Sequence, residues 1–193
     1  MKKLTLASVV VLAATPALAH TGHGETSGFI AGMSHPLFGA DHLLAMLAVG
    51  LWSGFALPSR FWAGAASFMT AMAAGAALSW SGVAIPMVES WITASVVVFG
   101  LLTLLAEQNQ KRWVTAASLV TIAGFALSHG HAHATEASGN AAAYLGGFLI
   151  STAALHLAGV ALARSVATGR AARFVQTVLG AGLAGAGLLM MAG

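Results

Sequence analysis

Three histidines and a glutamate lie close together near the carboxyl end of an apolar segment. They are His129, His131, His133 and Glu136, in a chain in which only 7% of the residues are charged. At about 100° per residue of an α-helix, His129, His133 and Glu136 lie at roughly 0°, 40° and −20°, so they share one face, and His131 faces away. Imidazole and carboxylate donors on one helix face are typical of a metal site. These three residues, His129, His133 and Glu136, form a stripe along the helix and are our first candidates for metal ligands.

A second cluster lies at the start of another apolar segment and contains His35, Pro36, Gly39, Asp41 and His42. His35 and His42 are seven residues apart, about 10.5 Å along an unbroken helix, which is too far for both to bind one ion. Proline and glycine can start or break a helix, so the segment can fold His35 back over Asp41 and His42. The alternative is that Pro36 only begins the helix and that Asp41 pairs with a neighbouring imidazole. We take His35, Asp41 and His42 as candidate ligands.

Four further histidines are weaker metal candidates: His20, His23, His131 and His156. His20 and His23 lie near the amino terminus, where they either chelate a passing cation or belong to a tail. His131 and His156 are either ligands along a pathway or polar contacts between helices. His156 lies about 24 Å along its predicted span from the outer end, well toward the cytoplasm.

The composition indicates an integral membrane protein of the all-α class. Hydrophobic residues make up 58% of the 193 residues and charged residues 7%, whereas soluble domains have roughly 25% charged residues. Cysteine is absent, which excludes disulfides and thiolate ligands. The lipid bilayer and a divalent metal ion are therefore the expected partners. No catalytic cofactor is expected.

The amino terminus has the features of a secretory signal peptide. Lys2 and Lys3 precede an apolar stretch over residues 4–14, and Ala17-Leu18-Ala19 forms a small-residue cleavage site. The stretch is shorter than the roughly 20 residues that a span needs, although an uncleaved first helix is the alternative. We predict a signal peptide over 1–19 and a transmembrane domain over 20–193. Without Lys2 and Lys3 the formal charge falls from +3 to +1, with 6 basic and 5 acidic residues, so the charge does not indicate a nucleic-acid partner.

Six apolar stretches predict a bundle of six transmembrane helices. The predicted spans are 36–57, 61–81, 87–106, 113–130, 140–163 and 173–192. Small residues on or just before these segments, among them Gly32, Gly50, Gly147 and Gly180, predict close packing between helices.

The charged residues predict the orientation of the bundle. If the mature amino terminus is periplasmic, every basic residue of the mature chain lies in a cytoplasmic loop, as the positive-inside rule expects. The start of the first span and the end of the fourth then lie on the same side of the membrane. Asp41 is the one acidic residue well inside a predicted span, so it needs an imidazole or a metal as its partner. We therefore predict that Asp41 or His42 shares a site with His129 or His133.

Two motifs together resemble the signatures of the HupE/UreJ family of nickel and cobalt permeases. They are His35-Pro36-x-x-Gly39-x-Asp41-His42 and His129-Gly130-x-Ala132-His133-x-x-Glu136. The resemblance covers essentially the whole mature chain. The family usually has Phe before the first histidine of the second motif and Gly after the second, where this chain has Ser128 and Ala134. All the donor residues are present.

The resemblance implies uptake of Ni²⁺, or of Co²⁺, across the bacterial inner membrane to supply hydrogenase or urease maturation. Independently, imidazole and carboxylate donors suit borderline ions such as Ni²⁺, Co²⁺, Zn²⁺ and Cu²⁺. The protein is then a permease and not an enzyme. Three alternatives are a membrane metal sensor or metal-binding subunit, an exporter, and an intramembrane metal-dependent hydrolase. The residues leave open the energy coupling, the choice of ion and the oligomeric state, including a homo-oligomer.

Overall fold

The computed structural model describes residues 28–108, 110–137, 140–167 and 171–193. This part of the chain is all-helical, with seven α-helices and no strand. The helices are α1 (Gly28–Phe38), α2 (Ala40–Ala56), α3 (Ala63–Trp80), α4 (Val88–Leu105), α5 (Arg112–Glu136), α6 (Ala141–Val166) and α7 (Ala172–Ala192). The predicted signal peptide, His20 and His23 lie outside the described residues.

Helices occupy each of the six predicted apolar segments, and the first segment contains two of them. Helices α4, α5, α6 and α7 are long and apolar enough to cross a membrane, and α1 with α2 makes a fifth crossing if the bent pair is one span. The chain is therefore a multi-pass membrane protein. Helix α3 has 18 residues, rich in alanine and glycine, and does not reach the same apolar character. The count of six spans remains a prediction.

The helices extend beyond two of the predicted span boundaries. Before the first predicted span, which starts at residue 36, Gly28–Phe38 forms a separate helix. The fourth segment continues to Glu136 instead of ending at residue 130. The hydropathy of the sequence falls where the histidines begin, but the backbone remains helical through them.

The break between α1 and α2 lies at Gly39, where the two helix axes differ by 79°. Pro36 lies inside α1, so the alternative that Pro36 begins the helix was wrong. Gly39 has an extended backbone, with φ −84° and ψ 111°. Any residue can adopt this conformation, but a Cβ here would lie 3.1 Å from His42 Nδ1 and 3.2 Å from Asp41 Oδ1. A side chain at position 39 would therefore press on the Asp41–His42 pair, which would have to shift by a few tenths of an ångström.

Glycines allow the helix backbones to approach closely, as the sequence predicted. Gly32 on α1 faces the backbone of Tyr144 on α6, and Gly50 on α2 faces the backbone of His156 on α6. Gly180 on α7 lies against Leu104 on α4 in the same way. In each place an added Cβ would collide with main-chain atoms of the neighbouring helix, so these contacts fix which faces meet.

Candidate metal site

Helix α5 carries the second motif to its carboxyl end without a break. His129 and His133 are buried, and the side chain of Glu136 is 47% exposed. His131 is also buried but lies against the segment between α3 and α4, where its Nε2 donates to the carbonyl oxygen of Val83 at 2.8 Å. The helical stripe and the opposite direction of His131 are thus both confirmed.

The bend at Gly39 brings the first motif against this face of α5. The ring centroid of His42 lies 4.9 Å from that of His129 and 4.4 Å from that of His133. On the other arm of the bend, the His35 ring lies 4.8 Å from His133 and 6.0 Å from His42. The two motifs meet at the same end of the bundle, as the charge-based topology predicted.

Among the residues that the structure describes, two groups of three side chains have ligand atoms within 4.8 Å of one another. The inner group is His42, His129 and His133, all buried. The outer group is His35, His133 and Glu136, of which His35 and Glu136 are partly exposed. His133 belongs to both groups, so the inner and outer groups adjoin each other.

The structure divides the stripe that the sequence treated as one ligand set. His129 joins the inner group, whereas Glu136 lies 3.2 Å from His35 Nε2 in the outer group. Asp41 belongs to neither group. Its carboxylate oxygen Oδ1 lies 2.8 Å from His42 Nδ1, which supplies the imidazole partner that the sequence required for an intramembrane acid.

This contact with Asp41 decides which nitrogen of His42 is free. A carboxylate oxygen only accepts, so the neutral imidazole of His42 carries its proton on Nδ1 and keeps the lone pair on Nε2. Nε2 is buried and has no hydrogen-bond partner among the described residues. A carboxylate on the far nitrogen is the usual way in which proteins orient a metal-binding histidine and raise its basicity.

Ser95 on α4 orients His129 in a similar way. The Ser95 hydroxyl donates to the carbonyl oxygen of Ile92 at 2.6 Å, and its Oγ lies 3.0 Å from His129 Nε2. Since the hydroxyl proton is already used, Oγ accepts from Nε2–H, and His129 keeps its lone pair on Nδ1. This Nδ1 is buried without a partner in the described part of the chain.

His133 has neither nitrogen hydrogen-bonded to any residue that the structure describes. Its Nδ1 lies 3.6 Å from Glu136 Oε2, and its ring packs on Phe148 with centroids 3.9 Å apart. Aromatic packing holds the ring while leaving both nitrogens open. The inner group therefore presents three buried imidazoles with unshared lone pairs, which is a donor set suited to a borderline divalent cation.

Several residues that shape the site were missed from the sequence. Ser95, Phe148 and Tyr144 contact or flank His129, His133 and His35, respectively. Each lies on a helix distant in sequence, and Phe148 and Tyr144 look like ordinary apolar-face residues. Ser95 is a polar residue within the apolar run of α4, which is the one signal that the sequence offered.

The architecture and the site define a multi-pass helical membrane protein with a buried histidine cluster at one end of the bundle. The family model described as HupE / UreJ protein matches residues 8–190. The chain is also 35% identical over 196 residues to a protein named Protein HupE from Rhizobium leguminosarum bv. viciae, with all of both chains covered. No solved structure matches. The chain belongs to the HupE/UreJ family.

Proposed function

We propose that the protein is a secondary transporter that takes up a divalent transition-metal ion, with Ni²⁺ first and Co²⁺ second, across the bacterial inner membrane. The mature amino terminus lies in the periplasm, so the outer group faces the side from which the ion arrives. The metal then supports hydrogenase or urease maturation, as the family resemblance implies. The protein carries the ion as cargo and is not an enzyme.

The observation that carries this proposal is the sharing of His133 by two ligand groups. An ion held by His35, His133 and Glu136 needs to keep only His133 while it exchanges the other two for His42 and His129. Along α5, Glu136, His133 and His129 are three and four residues apart, so this exchange moves the ion by about one helical turn, roughly 5 Å. Ligand exchange in short steps avoids releasing a bare ion into an apolar interior.

The change in donor character between the groups fits capture followed by transfer. The outer group contains a partly exposed carboxylate, which attracts a cation and neutralises part of its charge. The inner group contains imidazoles alone, which suit Ni²⁺, Co²⁺ and Zn²⁺ better than Mg²⁺ or Ca²⁺. The donor chemistry supports a borderline ion, and the choice of nickel depends on the family.

A passive mechanism is energetically sufficient for this direction of transport. A divalent ion that enters a negative interior gains about 4.6 kcal/mol per 100 mV, twice the value for a single charge. The sequence contains no ATP-binding motif. The membrane potential can therefore drive uptake without a second substrate.

Three other functions make different predictions. A sensor or metal-binding subunit would bind the ion without changing the metal content of a sealed vesicle. An intramembrane hydrolase would need a general base beside the metal, and the sequence contains no His-Glu-x-x-His motif. An exporter would use the same ligands but move the ion in the opposite direction. Transport by vesicles in which the protein has a defined orientation distinguishes export from import.

The test is metal uptake by proteoliposomes that contain the purified full-length protein, with Ni²⁺, Co²⁺ and Zn²⁺ in competition. We expect saturable Ni²⁺ uptake under an inside-negative potential, and loss of most uptake in His129→Ala and in His133→Ala. His131→Ala is the matched control, because His131 is also buried on α5 but lies outside both groups. A wild-type protein that binds Ni²⁺ but leaves the lumen empty would exclude transport.

A further inference from the structure

His156 lies near the middle of α6 and is almost completely buried, with 1% of its surface exposed. Its Nδ1 lies 2.7 Å from the carbonyl oxygen of Thr152. A carbonyl oxygen only accepts, so the neutral ring carries its proton on Nδ1 and has its lone pair on Nε2. Within the described ranges, Nε2 has no hydrogen-bond partner.

This arrangement differs from that of a histidine that holds helices together. The hydrogen bond of His156 joins two residues of the same helix, one turn apart, so it links α6 to no neighbour. An unmade hydrogen bond in a buried site costs about 1–3 kcal/mol. The Thr152 hydroxyl oxygen, one turn earlier on the same helix, is likewise buried without a partner in the part that the structure describes. Two atoms with unused lone pairs, His156 Nε2 and the Thr152 hydroxyl oxygen, thus lie on adjacent turns of α6.

A single aromatic ring connects this position with the inner group. The ring centroid of Phe68 on α3 lies 5.2 Å from that of His129 and 5.1 Å from that of His156. Phe68 is completely buried. His156 is therefore separated from the inner group by a single side chain, Phe68.

We propose that His156 is a third ligand station for the divalent ion, with Nε2 as its protein donor, reached from the inner group past Phe68. The station rests on the proposed transport function and adds a step to it. One imidazole holds an ion more weakly than three, and conduction requires sites that the ion can leave. The weaker donor set follows the stronger one on the way toward the cytoplasm, so His156 gives the ion a station that it can readily leave.

The test separates binding from passage with two substitutions, His156→Ala and His156→Gln, in the full-length protein. We expect Ni²⁺ uptake by proteoliposomes to fall at least tenfold, while the Kd of the tightest Ni²⁺ site, measured by calorimetry in detergent, changes less than twofold. The unchanged Kd shows that the bundle and the inner group remain folded. His131→Ala is the control for removal of a buried histidine outside the pathway.

Three outcomes would overturn the station. The first is wild-type uptake in both variants. The second is that both variants lose Ni²⁺ binding as well as Ni²⁺ uptake, which would assign His156 to packing. The third comes from ¹⁵N-histidine NMR with Zn²⁺ as a diamagnetic probe: no change in the His156 Nε2 resonance beyond the first equivalent. Failure of the transport function itself is distinct, because the wild-type protein would then load no vesicle.

Discussion

His42 Nδ1 lies 2.8 Å from Asp41 Oδ1, and this contact couples the helix break to the histidine cluster. The same carboxylate oxygen accepts from the His42 backbone N–H at 2.8 Å. Asp41 is therefore fixed by two bonds to one neighbour, and the His42 ring that it holds lies beside the rings of His129 and His133. The acid of the first motif therefore contacts the proposed metal site through this imidazole.

The first prediction concerns Asp41→Asn. The amide oxygen can still accept from His42 Nδ1, but the negative charge that raises the basicity of His42 is lost. We expect the Ni²⁺ affinity in detergent to fall by about 10- to 100-fold, the range found when such partners of metal-binding histidines are changed. Asp41→Ala should lose more, because the ring is then no longer held.

Glu107→Gln is the control, since Glu107 is an exposed carboxylate after α4 and has no part in either ligand group. Unchanged affinity in Asp41→Asn would mean that Asp41 serves only the helix break. A change of the same size in Glu107→Gln would mean that net charge, and not the contact with His42, sets the affinity.

The sequence predicted the helix break, the stripe on α5 and the meeting of the two motifs, because each depends on local spacing or on the charges of loops. Residue spacing along one helix sets which side chains share a face, and positive charges set the sidedness of spans. The sequence could not predict that Ser95 would orient His129, since that contact joins α4 to α5 across 34 residues. Division of the stripe into two groups likewise depends on where α1 and α2 lie against α5.

The second prediction separates the two ligand groups. His35→Ala removes a member of the outer group and leaves the inner group complete. We expect the KM for Ni²⁺ uptake to rise several-fold with little change in the maximal rate, because high concentrations compensate for weaker capture. His133→Ala interrupts both groups, so it should abolish uptake at all concentrations. The measurement is the initial rate of proteoliposome uptake against Ni²⁺ concentration.

The comparison with His42→Ala completes this experiment, because His42 belongs to the inner group alone. If His35→Ala lowers the uptake rate as much at saturating Ni²⁺ as at low Ni²⁺, the result would argue against an outer capture position. It would indicate that all four histidines form one indivisible site.

The third prediction concerns close packing between α3 and α5. A Cβ at Gly130 would collide with the backbone of Met72, whereas a Cβ at Gly124 on the same helix meets nothing within 4 Å in the described structure. Gly130→Ala should therefore force α3 away from α5, at a cost of about 1–3 kcal/mol for overpacking. Because Gly130 follows His129 directly, we also expect weaker Ni²⁺ binding.

Thermal unfolding in detergent and calorimetry with Ni²⁺ measure the two effects. Gly124→Ala should keep the wild-type Tm and Kd, since alanine has the higher helix propensity and the site is open. Equal stability of the two variants would show that α3 and α5 can separate at no cost. The close approach would then not position His129.

The last prediction concerns pH. Imidazoles must be neutral to bind a metal, so protons compete with the ion for the nitrogens of His42, His129 and His133. Lowering the pH adds protons to the ligands, so the affinity for Ni²⁺ should be highest above pH 7 and fall as the pH decreases toward 5. Calorimetry in buffers of different ionisation enthalpy should also detect protons released on binding under acidic conditions.

Binding, and not uptake, is the measurement that decides this prediction, because transport coupled to protons would add a pH dependence of its own. His131→Ala is again the control: it removes a buried imidazole that lies outside both groups, so its binding curve should follow the wild-type pH dependence. His129→Ala should bind more weakly at every pH and depend less steeply on it, since one competing proton is removed with the ligand. A wild-type Kd that stays constant from pH 7.5 to 5 would contradict competition between protons and Ni²⁺ for these nitrogens.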